Sequence, residues 1–460
     1  MTTARRLAHW GTSPLDVPAD VDAAAKRHLL DGLGTAIAGH RSGTVDPVLE
    51  VAAGLGGPPE AVALGDDRRI GAPAAALATG ALVHALDFDD THAGGLVHAT
   101  AVVLPAVFAV GQQVGATGRQ ALDAAVVGYE TVCRIAAAAP HGFHTRGLHA
   151  TMVAGVFSSA LVTARLTGQE PGTATDALGI AGSQAGGLLA FLGTGASTKQ
   201  LHPGLASHAG ILAARLAAAG ASGPATVLDG PNGLYDALSA VPADPESVVE
   251  GLGDRWETTR IGIKPYPACQ LMHVTLDAMR EVAVRESFGA ADVVSIIADV
   301  HPDSAPTVCP PGRDLVHPNT PYAAKFSLPW STAAMLVDGT VGLDTYEPAS
   351  LDRLEVSDVA ARISWNITDP VGHAADAAGR VVVRLKDGRD VVGSVSGSAG
   401  TTAHPLTDDQ LHQKFLGNAG HGGQAVADLL ARLEDEPSLD ALVAALHSAI
   451  HPVPGPGGPS

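Results

Sequence analysis

Cysteine is scarce in this chain: three residues in 460, Cys133, Cys269 and Cys309, with no C-x-x-C spacing. That excludes a disulfide framework and offers neither zinc nor an iron–sulfur cluster a cage, so the thiols read as reduced and incidental. A long unbroken apolar run is also missing. The Ala-rich segments are interrupted by Gly, Asp or His within about 18 residues, short of a bilayer span. Met1 to Trp10 lacks the basic stretch and apolar run of a secretory leader. The chain therefore reads as cytoplasmic, without a membrane partner. Positive charge is in short supply, with 28 Lys and Arg against 47 Asp and Glu, a formal net charge of −19. Such a field repels nucleic acid and anionic lipid surfaces. An anionic substrate can still bind, but only where His, Lys, Arg or helix N-termini gather locally against that background.

Apolar residues are plentiful at 46%, enough for a large buried core and two domains. From about residue 20 to 255, Ala, Leu and Gly recur with a period near 3.6, as in Asp22 to Ile37, Gly71 to Ala85, Ala121 to Ala137 and Val153 to Leu166. This predicts a helical domain over 1–258 whose small residues let helix axes approach closely. Thereafter Thr259 to Pro267 reads as extended, Val293 to Val300 as a β-branched strand, and Gly379 to Leu385 with Asp390 to Ser396 as a hairpin turning on Asp387-Gly388. With helices at Phe326 to Val337 and Asp352 to Ala361, these make a smaller α+β domain over 259–398. Helices at Thr407 to Leu416 and Gln424 to Leu446 place 399–460 back in the first domain, ending in a loose Pro/Gly tail from His451. The fold class is thus mainly α: a large all-helical domain plus a smaller α+β lid domain.

Four clusters carry titratable chemistry. His84-Ala-Leu-Asp87-Phe-Asp89-Asp90-Thr91-His92, followed by Gly94-Gly95 and His98, would align His84, Asp87 and Thr91 on one face if helical through Thr91, with the glycines ending the helix. A solvated helix end explains such a stretch about as well as acid–base or metal chemistry does. Gly142-Phe-His144-Thr-Arg146-Gly147-Leu-His149 precedes a helix and would set His149 beside free N–H groups, though loop histidines are more often bystanders. Gly193 to Gly204 holds Lys199 and His202 among small residues; with six lysines against 22 arginines, a Lys here reads as a carboxylate grip more readily than as a solvated side chain. The G-x-x-x-x-G-K-[ST] order is absent, so ATP chemistry is unsupported. Lys264-Pro-Tyr266-Pro-Ala-Cys269-Gln-Leu-Met-His273 sits at the domain junction, where its prolines fix an extended approach to a helix carrying His273.

In sequence order these segments resemble the MmgE/PrpD family, whose activities include 2-methylcitrate dehydratase, cis-aconitate decarboxylase and iminodisuccinate epimerase. The likeness runs from His28-Leu-Leu-Asp31-Gly-Leu-Gly34 through Asp87 to Thr91, Gly128-Tyr-Glu130 with Arg134, Gly147-Leu-His149 and Ala177 to Gln184. It continues through Lys199 to Gly204, Lys264 to His273, and Lys325-Phe-Ser-Leu-Pro-Trp330. Each motif is weak alone; their order over some 300 residues is hard to obtain by chance. The resemblance implies a homodimer with its pocket between the domains, no cofactor and no metal, and a lyase acting on a small di- or tricarboxylate. By motif it assigns Asp87, Thr91, His98, His149 and Lys199 as catalytic, and Lys199, Lys264, His273 and Trp330 as substrate-binding. His144 competes with His149 for its place. Trp330 stands where the family's decarboxylases carry Tyr, and Trp has no titratable hydroxyl.

The shared difficulty of these reactions is charge built on a carbon beside a carboxylate. His98 and His149 would transfer the proton, Asp87 would orient one of them, Thr91 would donate a hydrogen bond, Lys199 would hold a carboxylate, and His273 would act from the lid side. Replacing Lys199 by Ala is expected to cripple turnover and leave the fold intact. The alternatives are an epimerase of a dicarboxylate such as iminodisuccinate, a metal-dependent hydrolase or cyclase built on the Asp87 to His92 acids, and a non-catalytic binding protein.

Overall fold

The computed structural model describes residues 1–451, so the expected loose tail lies, beyond His451, outside the described residues. The chain is mainly helical and divides into two compact units: Met1–Leu189, Thr198–Ile261 and the chain from Thr407 onward in the first, Ala190–Ser197 with Gly262–Leu406 in the second. The second unit therefore starts and ends a little later than the 259–398 read from sequence. It also takes in 190–197, where Arg313 donates to the Leu192 carbonyl at 3.0 Å. No helix among the described residues is long and apolar enough to cross a membrane.

The first unit is a helical assembly whose inner members are apolar on every side. In the Ala72–His84 helix every residue but Pro73 is buried, and in Thr100–Val114 everything through Gly111 is buried, the pattern of a helix surrounded by others. Alanine and glycine make that packing possible. A Cβ on Gly80 would lie 2.6 Å from the Gly204 Cα, and one on Gly204 would lie 2.1 Å from the Leu77 carbonyl oxygen. The Ala72–His84 and Thr198–Ala218 helices thus cross in backbone contact, one turn from His84 on one side and close to Lys199 and His202 on the other. Boundaries follow local chemistry where it is strong: Thr117 with Gln120 and Thr407 with Gln410 form capping boxes that start Gly118–Ala137 and Asp408–Ala419.

Two expected helices are shorter than the sequence suggested. The first stops at His84, because Asp87 takes φ +52° and the chain then forms a small turn in which His92 and Val97 pair. Gly94 and Gly95 belong to that turn and end no helix. Gln424 to Leu446 is two helices, Gly423–Ala431 and Asp440–Ile450, split around Pro437, whose missing N–H and extended predecessor Glu436 cannot continue a helix.

In the second unit a four-stranded sheet runs in the order Ile363–Ile367, Val293–Val300, Gly379–Leu385, Asp390–Val395, its first pair parallel and the others antiparallel. Gly388, at φ +90°, makes the expected hairpin turn. The helices His273–Glu286 and Leu328–Asp338 belong to this unit. The segment expected to be extended from Thr259 begins as a 3-10 turn, Glu257–Arg260, before two extended residues, Ile261–Gly262.

Candidate active site

Lys199 lies in the first turn of the Thr198–Ala218 helix, 5% exposed. Its ammonium is 2.9 Å from Asp87 Oδ1 and 3.4 Å from His98 Nε2. The left-handed backbone at Asp87 directs its Oδ1 to the Lys199 ammonium. Asp89 Oδ2 accepts from His84 Nδ1 at 2.7 Å and lies 3.7 Å from His98 Nδ1. Asp90 closes the turn from the other side, accepting the Thr100 backbone N–H at 3.0 Å and the Thr100 hydroxyl. Burial pushes the Asp90 carboxyl up to about 7, against those two hydrogen bonds.

The ring nitrogens of His98 can be told apart. Nδ1 faces the Asp90 backbone carbonyl at 2.9 Å, and a carbonyl oxygen only accepts, so Nδ1 carries the proton. Neutral His98 therefore presents Nε2 as an acceptor to Lys199. The Thr91 hydroxyl, 3.5 Å from the same Nδ1, is the weaker partner. His149 caps the Ala150–Leu166 helix, its backbone N–H bonded to the Gly187 carbonyl at 2.7 Å, and its Nδ1 meets His202 Nδ1 at 3.1 Å. Its ring centroid is 5.8 Å from that of His98 and 5.7 Å from that of His84. His144 stands farther out, 6.4 Å from the His149 ring.

Burial, then Lys199, hold His149 well below the usual imidazole range; burial also lowers His84, lowers His202 to about 4 and lowers His144 to about 3. At neutral pH His84, His144, His149 and His202 are thus neutral imidazoles near an ammonium already paired with Asp87, and these rings add no positive charge to the empty site. His84 Nε2 is buried with no hydrogen-bond partner among the described residues, an arrangement that a ligand or water resolves. Two triads, His84/His98/His149 and Asp87/Asp89/His98, bring one donor atom each within 4.8 Å, close enough to share a cation. Lys199 contacts Asp87 and His98 of these triads, so the protein's own ammonium occupies part of that donor set.

The structure thus gathers Asp87, Thr91, His98, His149 and Lys199 and brings in Asp89, His84 and His202, of which the sequence placed His84 and Asp89 in a candidate acid–base or metal stretch and left His202 without a role. The helical i, i+3 spacing from Lys199 to His202 was the available signal for one of them. Lys264, His273 and Trp330 belong to the second unit. There His273 Nε2 bonds the Ala268 carbonyl at 3.0 Å and its ring stands edge-on to Tyr266. Lys264 and Trp330 are fully buried, and the Trp330 indole N–H has no acceptor among the described residues.

The MmgE/PrpD N-terminal domain model matches residues 5–245 and the C-terminal domain model matches 266–435. The chain belongs to the MmgE/PrpD family. Among its relatives, cis-aconitate decarboxylase from Aspergillus terreus is 29% identical over 440 residues, covering 90% of this chain and 88% of that protein. Cis-aconitate decarboxylase-like protein oryM from Aspergillus oryzae is 30% identical over 89% of each chain. The cis-aconitate decarboxylase of Homo sapiens is 27% identical over 77% of this chain and 74% of its own. Both MmgE/PrpD models fall where the sequence motifs lie, and the first spans every member of the cluster around Lys199.

Proposed function

We propose that this chain, a lyase of the MmgE/PrpD type, removes carbon dioxide from a small unsaturated tricarboxylate of the cis-aconitate kind without a cofactor. The observation that carries the reading is the buried convergence of Lys199, His98 and His149, two histidines and the rare lysine, on one point of an acidic chain. The named activities of the relatives support decarboxylation over dehydration.

One substrate carboxylate displaces Asp87 from part of its contact with the Lys199 ammonium. The carbon–carbon bond to the departing carboxylate breaks, and its electron pair enters the conjugated double bond and spreads onto a retained carboxylate. Lys199, with donors on the surrounding imidazoles, stabilises that charge; each well-placed donor is worth about 3 kcal/mol in a site shielded from water. His149 delivers a proton to carbon from Nε2, the N–H electron pair staying on nitrogen. The trianion and one proton become a dianion and carbon dioxide, so each turnover takes up one proton. His98, its Nδ1 fixed by Asp90, aims Lys199 through Nε2.

Trp330 in place of the Tyr that the resemblance leads one to expect takes away a titratable hydroxyl and supports a changed substrate; the second reading is an epimerase that removes and returns a proton without losing carbon dioxide. Incubation with cis-aconitate, 2-methylcitrate and iminodisuccinate in deuterated solvent, read by product mass, decides. Loss of 44 mass units from cis-aconitate is expected; deuterium in recovered substrate without mass loss would install the epimerase, and activity lost to chelator would install the metal-dependent alternative. Three buried free thiols support a reducing, cytoplasmic setting. Leu205, Leu212 and Leu216, each about 40% exposed on one face of the Thr198–Ala218 helix, support a homodimer, which sedimentation would test.

A further inference from the structure

Deepening that reading and resting on it, we propose that His202 is a positioning residue: its Nδ1 accepts a hydrogen bond from His149 Nδ1–H, leaving Nε2 as the atom through which His149 passes its proton. Two Nδ1 atoms 3.1 Å apart require that one donate and the other accept. The direction follows from the chemistry. A histidine that delivers a proton passes through its imidazolium form, in which both nitrogens carry hydrogen. A His202 fixed as donor would then set N–H against N–H and hold His149 neutral. A His202 that accepts stabilises the charged form and leaves the neutral product with its remaining proton already on Nδ1.

The core holds this pair in place. Both side chains are buried, at 2% and 3% exposure, with ring centroids 5.2 Å apart. His149 is fixed by its backbone bond to Gly187 at the start of Ala150–Leu166. His202 rides on Thr198–Ala218, which meets that helix where a Cβ on Gly210 would lie 2.6 Å from the Val156 carbonyl oxygen. The charged and titratable groups facing His149 are Lys199, His84, His98 and His144 besides His202. The nearby carboxylates are engaged by others, Asp87 by Lys199 and Asp89 by His84. His202 is therefore the group in direct hydrogen-bond contact with His149 that can favour its protonated form.

The test compares His202→Phe, which keeps a ring without an acceptor, with His202→Asn, whose amide oxygen can accept. With cis-aconitate, His202→Phe is expected to lower kcat roughly 30-fold or more with KM within about threefold. It should also move the pKa seen in the kcat–pH profile down by about one unit, a tenfold change in protonation. His202→Asn is expected to recover most of both. Wild-type kcat and pH profile in His202→Phe would overturn the proposal, and so would equal losses in the two variants, which would mean lost packing. Nitrogen-15 shifts of histidine in the ligand-free full-length protein test it apart from any reaction. The His149 signal, assigned by its loss in His149→Asn, should report protonated Nδ1 and bare Nε2. The reverse tautomer overturns the proposal even if decarboxylation is observed, whereas an inert wild type with the expected tautomer overturns the decarboxylase reading alone.

Discussion

Replacing Lys199 by Met tests the site and the fold at once. The ammonium is 2.9 Å from Asp87 Oδ1, with side-chain exposures of 6% and 1%. Removing the cation alone leaves a carboxylate buried against an unfavourable environment, which costs about 3–5 kcal/mol. Lys199→Met should therefore still fold but melt several degrees below the wild type. Asp87→Asn/Lys199→Met, which buries no lone charge, should regain most of that stability. Activity should behave differently, because both variants lack the group that holds a substrate carboxylate. Losing a buried charge-assisted contact costs about 2–5 kcal/mol, or roughly a 30- to 5,000-fold fall in kcat/KM at 1.36 kcal/mol per decade. Chemical denaturation read by circular dichroism, beside steady-state kinetics on cis-aconitate, separates the two effects. A double variant that folds and turns over within threefold of the wild type would refute the assignment of Lys199 to substrate, and wild-type stability in the single variant would refute the burial argument.

Stability should respond to pH through two opposed groups. Burial lowers His28 and His202 to about 4, so the unfolded chain takes up protons near 6.5 that the folded chain refuses, and stability falls as pH drops from 6.5 to 4. Asp90, raised to about 7, keeps a proton the unfolded chain loses near 3.8, so its contribution falls as pH rises from 4 to 7. Asp90→Asn should steepen the rise in stability over pH 4–7 by an amount on the order of 4 kcal/mol, and an unchanged denaturation series would contradict the shift. Lys414, on the Asp408–Ala419 helix, donates to the Phe88 carbonyl at 2.8 Å, pairs with buried Asp31 at 2.5 Å and lies over the Phe88 ring. Lys414→Met should cost about 3–5 kcal/mol and at least tenfold in kcat/KM by loosening the Asp87–Asp90 turn, with Asp31→Asn/Lys414→Met regaining stability but not rate. Gly204→Ala should lower both melting temperature and turnover, because its Cβ meets the Leu77 carbonyl, while Gly172→Ala, with open space around it, should leave both nearly unchanged.

What the sequence made legible was whatever rested on local pattern. The Val293–Val300 strand, the Asp387-Gly388 turn and the cores of the long helices follow from β-branching, turn chemistry and a 3.6 period, none of which depends on distant residues. The end of the helix at His84 was not legible, because Asp87 adopts a left-handed backbone that its own identity only weakly favours and that Lys199, 112 positions away, makes worthwhile. The same fact hid the division of labour among the acids. Asp87, Asp89 and Asp90 are chemically alike and nearly adjacent, and only the backbone turn decides that one meets Lys199, one His84 and one Thr100. Pro437 was visible and should have divided the last predicted helix, since a proline there has no N–H to give.

The arrangement of charge leads to one more consequence. A site that held several permanent cations in a chain of net charge −19 would bind carboxylates indiscriminately and would destabilise the empty protein by crowding like charges in a dry interior. Here the single ammonium is matched by Asp87, and burial keeps His149, His84 and His202 neutral, so the positive charge must arrive as protons with the ligand. Each carboxylate brought near the cluster raises the imidazole pKa values and draws protons onto the rings. A monocarboxylate contends with Asp87 for Lys199 and offers little to offset burying an imidazolium; a tricarboxylate can do both. Affinity should therefore climb from mono- to di- to tricarboxylate more steeply than one contact per group would give. Tricarboxylate binding should take up protons near neutral pH and weaken as pH rises. Isothermal titration in two buffers of different ionisation enthalpy reads that uptake directly. Tight tricarboxylate binding with no proton uptake between pH 6 and 8 would mean that the histidines are charged before the ligand arrives, and that burial does not govern them.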